Sequence, residues 1–108
     1  MARAIIHMPE SARRGEVIEI RALIGHPMET GYRPGADGRV LPRNIIRRFH
    51  CSYNGELVFS AELHPAIAAN PYLAFHLIAG DSGSLRFTWE GDEGFTQTEE
   101  KSLAVREA

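Results

Sequence analysis

The sequence of 108 residues is poor in cysteine, in lysine and in long apolar stretches. Its single thiol, Cys51, excludes an internal disulfide framework and a cysteine-rich zinc site. No apolar run reaches the ~18 residues needed to span a bilayer. Arg13-Arg14 resembles a twin-arginine signal, but charged residues interrupt the GEVIEIRALIG that follows it. From the residues alone we therefore expect a cytosolic protein with no membrane segment and no signal peptide.

The charge of the chain is small but unevenly distributed. A net charge of −2 gives no general attraction to nucleic acid, and 44% hydrophobic with 24% charged residues is typical of one globular domain, residues 1–108. Residues 1–50 carry +4, residues 51–89 carry −2 and residues 90–108 carry −4. Eleven of the twelve cations are arginine, which suits bidentate contacts with carboxylates and other oxyanions. The asymmetry either forms a face for a charged partner or only distributes charge over the surface.

Alternation of apolar and polar residues predicts β-strands in the first half of the chain. In GEVIEIRALI the apolar face is Ile18, Ile20, Ala22 and Ile24. NIIRRFHCSY and ELVFSAEL flank Asn54-Gly55, a pair favoured in hairpin turns because both central residues need positive φ. The inward residues predicted for this hairpin are Ile45, Phe49, Cys51 and Tyr53 on its first strand and Leu57, Phe59, Ala61 and Leu63 on its second.

Strand patterns continue to the carboxyl end. SLRFTWE places Leu85, Phe87 and Trp89 on one face, and FTQTEEKSLAV predicts a further strand. Residues 72–79 are apolar on both faces, which is typical of a strand that is covered on both sides or lies at a sheet centre. A short alanine-rich turn is predicted between Pro65 and Pro71. The whole pattern predicts an all-β, immunoglobulin-like antiparallel β-sandwich of about seven strands.

The exception is GHPMETGYRPGADGRVLPR, residues 25–43, which has four glycines, three prolines and no usable periodicity. Loops of more than about 12–15 residues without secondary structure are uncommon in compact proteins and tend to be functional or disordered. Met28 is either tucked under this loop or displayed as an adaptable contact. Acid–base chemistry by His26 with Glu29 is conceivable, and ordinary loop polarity is the simpler interpretation.

Metal binding and thiol chemistry find little support in the sequence. No two of the five histidines have the spacing that places two ligands on one face of a strand or helix. Cys51 shares its face with Phe49 and Tyr53, so we expect a buried, inert thiol. It belongs to a predicted structural core that also contains Phe59, Phe87 and Trp89. We expect no catalytic residue, cofactor or metal. A small redox or metal protein that uses Cys51 and the histidines remains an alternative.

Four motifs, in order along the chain, resemble the SoxZ family. They are HPMETG, FHCSYNGE with its Asn-Gly turn, HPAIAANPY, and LRFTW, and the resemblance extends roughly from Pro9 to Val105. It implies an immunoglobulin-like sandwich that forms a heterodimer with SoxY and catalyses no reaction. SoxY carries intermediates of thiosulfate oxidation on the cysteine of a flexible, glycine-rich C-terminal arm. The sequence ends SLAVREA, without such a cysteine, so we do not expect it to be the carrier itself.

The resemblance also implies transient contacts with Sox haem enzymes, a dimanganese hydrolase and a sulfane dehydrogenase. It replaces the cytosolic expectation with a periplasmic one, through export together with a SoxY partner that bears the twin-arginine signal. Alternatives are a SoxYZ-like carrier that serves another dehydrogenase pathway, and a free-standing immunoglobulin-like binding module. We predict a partner interface at the long loop, where the local arginine excess could attract sulfonate-type groups. Its residues are His26, Met28, Glu29, Tyr32, Arg33, Arg43, Arg47 and Arg48.

Overall fold

The computed structural model describes residues 3–64 and 69–107. These residues form eight strands and a short 3₁₀ turn at Asp92–Gly94. The strands are β1 (Ala4–His7), β2 (Ser11–Arg13), β3 (Val17–Ile24), β4 (Ile46–Tyr53), β5 (Glu56–Glu62), β6 (Tyr72–Ile78), β7 (Gly83–Gly91) and β8 (Thr96–Arg106). In this part of the chain no helix is long and apolar enough to cross a membrane.

The strands form two sheets that pack face to face. The smaller sheet has the order β1-β3-β6 and the larger has the order β2-β8-β7-β4-β5. Alternate residues of both sheets point into the layer between them, where Ile20, Phe49, Phe87 and Trp89 are almost fully buried. The ring of Phe49 lies 5.1 Å from that of Trp89, within the range of favourable aromatic pairs. The core is therefore a single apolar layer between two sheets.

The predicted β-sandwich is confirmed, with two differences in detail. There are eight strands instead of about seven, because β1 and β2 form at the amino end. All strand pairs are antiparallel except β2 and β8, which run parallel. The predicted hairpin joins β4 to β5 through Asn54 and Gly55, which have φ of 51° and 84° as a type I′ turn requires. The alanine-rich turn predicted between Pro65 and Pro71 includes residues 65–68, which lie outside the part of the chain that the structure describes.

β6 is a strand as predicted, but it does not lie at a sheet centre and the described part of this chain covers only one of its faces. β6 lies at the edge of the small sheet and pairs only with β3, and one of its faces is exposed. Phe75 points into the core, whereas Tyr72 and Ile78 on the opposite face are 55% and 64% exposed. The apolar residues on both faces of this segment correctly indicated a strand, but the described residues cover only one of the two faces.

Leu57 also departs from its predicted inward position and is 57% exposed. Cys51 pairs with Phe59 and the next residue, Ser52, pairs with Leu57, so Val58 is an extra residue on β5. Such a β-bulge reverses the alternation of the strand beyond it. Leu57 is consequently on the same face as Ser52, outside the core.

The long loop, residues 25–43, is an irregular two-stranded extension that we call the ribbon. Isolated bridges pair Glu29 with Asn44 and Pro34 with Val40. Leu41 N–H donates to the Arg33 carbonyl at 2.8 Å. The described chain measures 61 × 20 × 19 Å, whereas eleven-residue β8 spans only roughly 37 Å. This length fits a ribbon that extends the sandwich beyond the ends of β3 and β4.

Candidate functional site

His26 and Met28 fasten the base of the ribbon from the inside. Pro27 separates them, and Met28 has the left-handed φ of 51°, which is uncommon for a residue with a side chain. The Met28 N–H donates to Nδ1 of His26 at 2.9 Å, and the Ile46 N–H donates to Sδ of Met28 at 3.2 Å. Both side chains are buried, with 5% and 4% exposure. The turn is therefore held by its own two side chains.

The surroundings of the His26 ring favour its neutral form. Because Nδ1 accepts the Met28 N–H, the neutral ring carries its proton on Nε2. Burial lowers the pKa of His26, and this outweighs the opposing effects of neighbouring Asn44 and Asp92. Among the described residues, Oδ1 of Asn44 is buried without a hydrogen-bond partner. Phe95 packs edge-on against the imidazole, with ring centroids 5.2 Å apart.

The burial of His26 and Met28 corrects the prediction that both lie at a partner interface. Their polar atoms are engaged within the chain and their side chains are inaccessible, because the loop folds over them. Of the two positions considered for Met28, the structure shows the tucked one. Pairing of His26 with Glu29 for acid–base chemistry is also unsupported, because the Glu29 carboxylate bonds to Arg33 instead.

The outer part of the predicted interface is exposed. Tyr32 lies on the ribbon with 83% of its surface exposed, and Val40 on the returning strand is 61% exposed. Arg33 Nη2 lies 2.7 Å from Oε1 of Glu29, and this hydrogen bond lowers the pKa of the Glu29 carboxyl. The ribbon thus presents an aromatic ring and an aliphatic side chain beside an internally neutralised ion pair.

Asp92 ties the foot of the ribbon to the turn between β7 and β8. Its carboxylate receives two hydrogen bonds from Arg43, at 2.8 and 2.9 Å, and one from the Ile45 N–H at 3.1 Å. Arg47 Nε lies 3.3 Å from the same carboxylate. Burial opposes ionisation of Asp92, but these donors and positive charges outweigh it and lower its pKa. Asp92 is therefore a carboxylate that two arginines share.

A shallow cleft of about 430 Å³ lies beside this ion cluster. Arg43, Arg47 and Arg48 line it together with Glu62 and Glu90. Since Asp92 already binds Arg43 and Arg47, the formal charges of this group of described residues balance. The expected local excess of positive charge is therefore absent here, and the cleft has no strong general attraction for anions.

The four predicted core residues lie between the sheets. Cys51, Phe87 and Trp89 are at most 1% exposed, while Phe59 is only partly buried because β5 is an edge strand. Burial raises the pKa of the Cys51 thiol to about 12, so its nucleophilic thiolate is scarce at neutral pH. Across residues 3–64 and 69–107, no three His, Cys, Asp or Glu side chains form a group that could hold a metal ion.

Sequence reasoning missed the residues that fasten the ribbon from outside it. Asp92, Phe95 and Asn70 each lie more than forty residues in sequence from the ribbon residue that they contact, which is Arg43 for Asp92 and His26 for the other two. Asn70 Oδ1 accepts the His26 N–H at 2.9 Å, and the Asn70 N–H donates to the His26 carbonyl at 2.7 Å. The available signal was weak: Asp92 and Asn70 are turn-forming residue types in predicted turns. Their long-range role follows only from the folding of three loops to the same end of the sandwich.

A family model described as "Sulphur oxidation protein SoxZ" matches residues 6–102 of the chain. No curated protein sequence gives a significant match.

Solved structures with similar folds include a superoxide reductase (neelaredoxin) from Ignicoccus hospitalis, with a TM-score of 0.73 and 20% identity over 95% of this chain and 80% of that chain. A putative superoxide reductase from Thermotoga maritima has a TM-score of 0.71 and 16% identity over 95% of this chain and 85% of that one. The sulfur carrier protein SoxY from Chlorobium limicola f thiosulfatophilum has a TM-score of 0.67 and 12% identity, covering 95% of this chain and 78% of that chain. At these identities the similarities show a shared fold.

Proposed function

The chain belongs to the SoxZ family, and from that premise we propose that it is the non-catalytic partner subunit of a SoxYZ sulfur-carrier complex. The family match over residues 6–102 carries this proposal. The buried Cys51 supports it, because a thiol with a pKa of about 12 is poorly suited to carry or transfer sulfur. A protein of this kind acts through its surface, by binding a second chain that bears the reactive group.

The proposed partner is a SoxY-like subunit, which carries sulfur intermediates of thiosulfate oxidation on the cysteine of its C-terminal arm. The two chains form a heterodimer, and Sox haem enzymes, a dimanganese hydrolase and a sulfane dehydrogenase visit it in turn. The shared fold of this chain and the Chlorobium SoxY supports a complex of two similar sandwiches. A rigid sandwich gives each visiting enzyme a constant surface beside a mobile, substrate-bearing arm.

The proposed location is the periplasm, with export in the folded state together with the SoxY-like subunit. Only the partner then needs a twin-arginine signal. This requires the two chains to associate before export, so their affinity has to be high enough for assembly in the cytosol.

We place one contact with the partner on the exposed part of the ribbon. Tyr32 is a large aromatic side chain that is 83% exposed, and Val40 adds an exposed aliphatic one. Aromatic and arginine side chains are enriched among residues that dominate binding energy. Arg33, Arg43, Arg47 and Arg48 lie on the ribbon or at its foot and can supply polar contacts around that centre.

Co-expression of the chain with the SoxY-like subunit of the same genome tests the proposal. We expect copurification as a 1:1 complex and thiosulfate-dependent electron transfer when the Sox enzymes are added. Tyr32→Ala should weaken the complex by roughly 2 kcal/mol, about 30-fold, if the ring is a central contact. A complex that forms but supports only a different dehydrogenase would indicate the alternative pathway.

Arg33→Ala and Arg86→Ala form a matched pair for the ribbon. Each arginine is more than half exposed and has one carboxylate partner, Glu29 for Arg33 and Glu100 for Arg86. Arg86 lies on the outer face of the large sheet, so we expect only Arg33→Ala to weaken the complex. Equal affinity of both variants and of Tyr32→Ala would remove the ribbon from the interface. Failure of the unaltered chain to bind the SoxY-like subunit would refute the proposed function.

A further inference from the structure

The outer face of the small sheet combines apolar ends with a polar middle. Val17 of β3 pairs with Ile78 of β6 at one end, and Leu23 pairs with Tyr72 at the other. Between them, Glu19 and Arg21 point outward on β3, because Ile18, Ile20 and Ala22 point into the core. Val17, Tyr72 and Ile78 are 61%, 55% and 64% exposed. They are three of the seven large hydrophobic residues that are exposed in the described part of the chain.

The charges in the middle of this face are paired with each other. Arg21 Nε lies 2.8 Å from Oε1 of Glu19. The other Glu19 oxygen lies 3.7 Å from Nε2 of His76 on the neighbouring strand. A face whose charges are satisfied internally can be covered at a lower desolvation cost than one with isolated charges.

The outer face of the large sheet is different. Its outward residues on β7, and on β8 as far as Ser102, are polar or charged. Several of them bond to one another, Arg86 to Glu100 and Thr88 to Thr98. Antiparallel sheets commonly have one face in the core and one polar face in water. The large sheet follows this rule on β7 and β8, and its exposed large apolar residues, Leu57 and Val58, lie on edge strand β5. On the small sheet such residues are exposed on the middle strand β3 as well as on the edge strand β6.

The pattern of apolar residues in β6 also indicates that the outer face of the small sheet is covered. Strands that are apolar on both faces are typically covered on both faces. The described residues cover only the side of Phe75, and they leave Tyr72 and Ile78 in solvent. The sequence of β6 is thus that of a covered strand, although it lies at an exposed sheet edge.

We propose that the outer face of the small sheet, between Val17–Ile78 and Leu23–Tyr72, is where the SoxY-like subunit packs its own sandwich against this chain. This inference rests on the proposed function for the identity of the partner. The outer face of the small sheet is then a second contact with the partner, flatter than the contact on the ribbon. The cross-strand pair of Leu23 and Tyr72 lies next to the base of the ribbon, because the ribbon begins at Gly25, directly after β3.

Packing on the face explains the exposed residues better than addition of a strand to the β6 edge. Val17 lies on β3, the middle strand of the sheet, so a strand added beside β6 would leave it uncovered. Sheets that stack face to face lie about 10 Å apart and cover all strands of the face. A partner of the same fold has sheets of matching dimensions and twist.

The size of the face accounts for the need for two contacts. Strands of four, eight and seven residues that lie about 4.8 Å apart give a projected area of roughly 300 Å². A stable heterodimer commonly buries about 800 Å² on each chain. The face alone is therefore too small for a stable heterodimer, and the ribbon, which adjoins it, supplies a second contact.

Charge substitutions at the end of the face far from the ribbon test this inference. We would measure the affinity of the SoxY-like subunit for Val17→Lys, Ile78→Lys and the double variant. We expect at least tenfold weaker binding for each single variant and about 100-fold for the double variant. Ser102→Lys, which places the same charge on exposed β8 of the large sheet, is the matched control and should bind within twofold of the unaltered chain. Ile78→Thr keeps a β-branched side chain on the strand and should weaken binding even if a lysine variant fails to fold.

The outcomes separate the inference from the proposed function. Folded lysine variants that bind as tightly as the unaltered chain would overturn the inference and leave the heterodimer intact. The inference also fails if the purified chain alone is a dimer that Ile78→Lys converts to monomers, because a second copy then covers the face. If the unaltered chain does not bind the SoxY-like subunit, the proposed function fails and this inference fails with it.

Discussion

Replacing His26 by alanine removes a buried side chain that stabilises the base of the ribbon. The contacts of this side chain indicate how much stability is lost. The Met28 N–H loses its acceptor in a buried position, which costs about 1–3 kcal/mol. Loss of the edge-on contact with Phe95 costs a further ~0.5–1.5 kcal/mol. Allowing for partial relaxation, we expect His26→Ala to lower the free energy of unfolding by about 2–4 kcal/mol.

Thermal unfolding followed by circular dichroism measures this loss. With an unfolding entropy of about 2.1 cal/mol/K per residue, 2–4 kcal/mol corresponds to a decrease in Tm of roughly 9–18 °C for a chain of this length. His26→Asn should recover part of the loss. An asparagine oxygen can accept the N–H two residues ahead, as in an Asx turn, but it cannot replace the contact with Phe95.

His76→Ala is the control, because this histidine is exposed on β6 and its loss should change Tm by less than about 2 °C. A decrease of less than about 4 °C for His26→Ala would refute the reasoning. It would mean that the buried imidazole stabilises the turn no more than a methyl group does.

Three further predictions follow from burial and close contacts. First, burial lowers the pKa of folded His26 from 6.5, so the unfolded chain binds more protons than the folded one. The free energy of unfolding should therefore fall as the pH decreases below about 6.5. Urea titrations at several pH values measure this dependence, and His26→Asn should lack the part of it that comes from His26. Second, Cys51 should not react with a thiol reagent at pH 8 until the protein is unfolded, and fast reaction of the native protein would contradict its pKa of about 12. Third, Gly91→Ala should cost at least about 2 kcal/mol of stability in denaturant titrations, because the new Cβ would lie 2.5 Å from the Ile45 carbonyl oxygen. Gly94→Ala meets no atom within 4 Å and should cost about 1 kcal/mol for its φ of +75°, so equal losses would argue against the backbone contact at Gly91.

Local patterns were sufficient to predict most strands. The alternation in β3 predicted the buried set from Ile18 to Ile24, and Asn54-Gly55 predicted a hairpin turn whose positive φ values the structure shows. Leu85, Phe87 and Trp89 are buried as predicted. These features depend on side-chain period and turn chemistry, which neighbouring residues determine.

The errors occur where the pairing between strands changes the local rule. Val58 is an extra residue opposite the Cys51–Ser52 step, and it turns Leu57 outward without any signal in ELVFSAEL itself. A second irregularity lies on β4 between Ile46 and Arg48, where Arg47 is an extra residue in the pairing with β7. Bulges depend on the register of the partner strand, and a single strand does not contain that information.

The ribbon was predicted as a distinct segment, but the positions of its side chains were not predicted. The length and composition of residues 25–43 correctly marked a distinct element. The sequence did not show that His26 and Met28 turn inward, because their burial depends on Asn70 and Phe95 from remote turns. The arginine excess also did not indicate a basic site, since Asp92 from another loop binds Arg43 and Arg47.

The parallel pairing of β2 with β8 has a consequence for the rate of folding. β8, the last strand along the chain, lies between β7 and β2, and Ser11 pairs with Ala104 roughly ninety residues later. Closing a loop of that length costs about 4 kcal/mol of chain entropy before the contact provides any stabilisation. Such non-local pairing is typical of proteins that fold in milliseconds to seconds. β8 itself pairs with its sequence neighbour β7 across the short turn at Asp92–Gly94, so β2 is the strand that has to close this long loop. Until β2 docks, β8 has an open edge at which the new chain can pair with other chains.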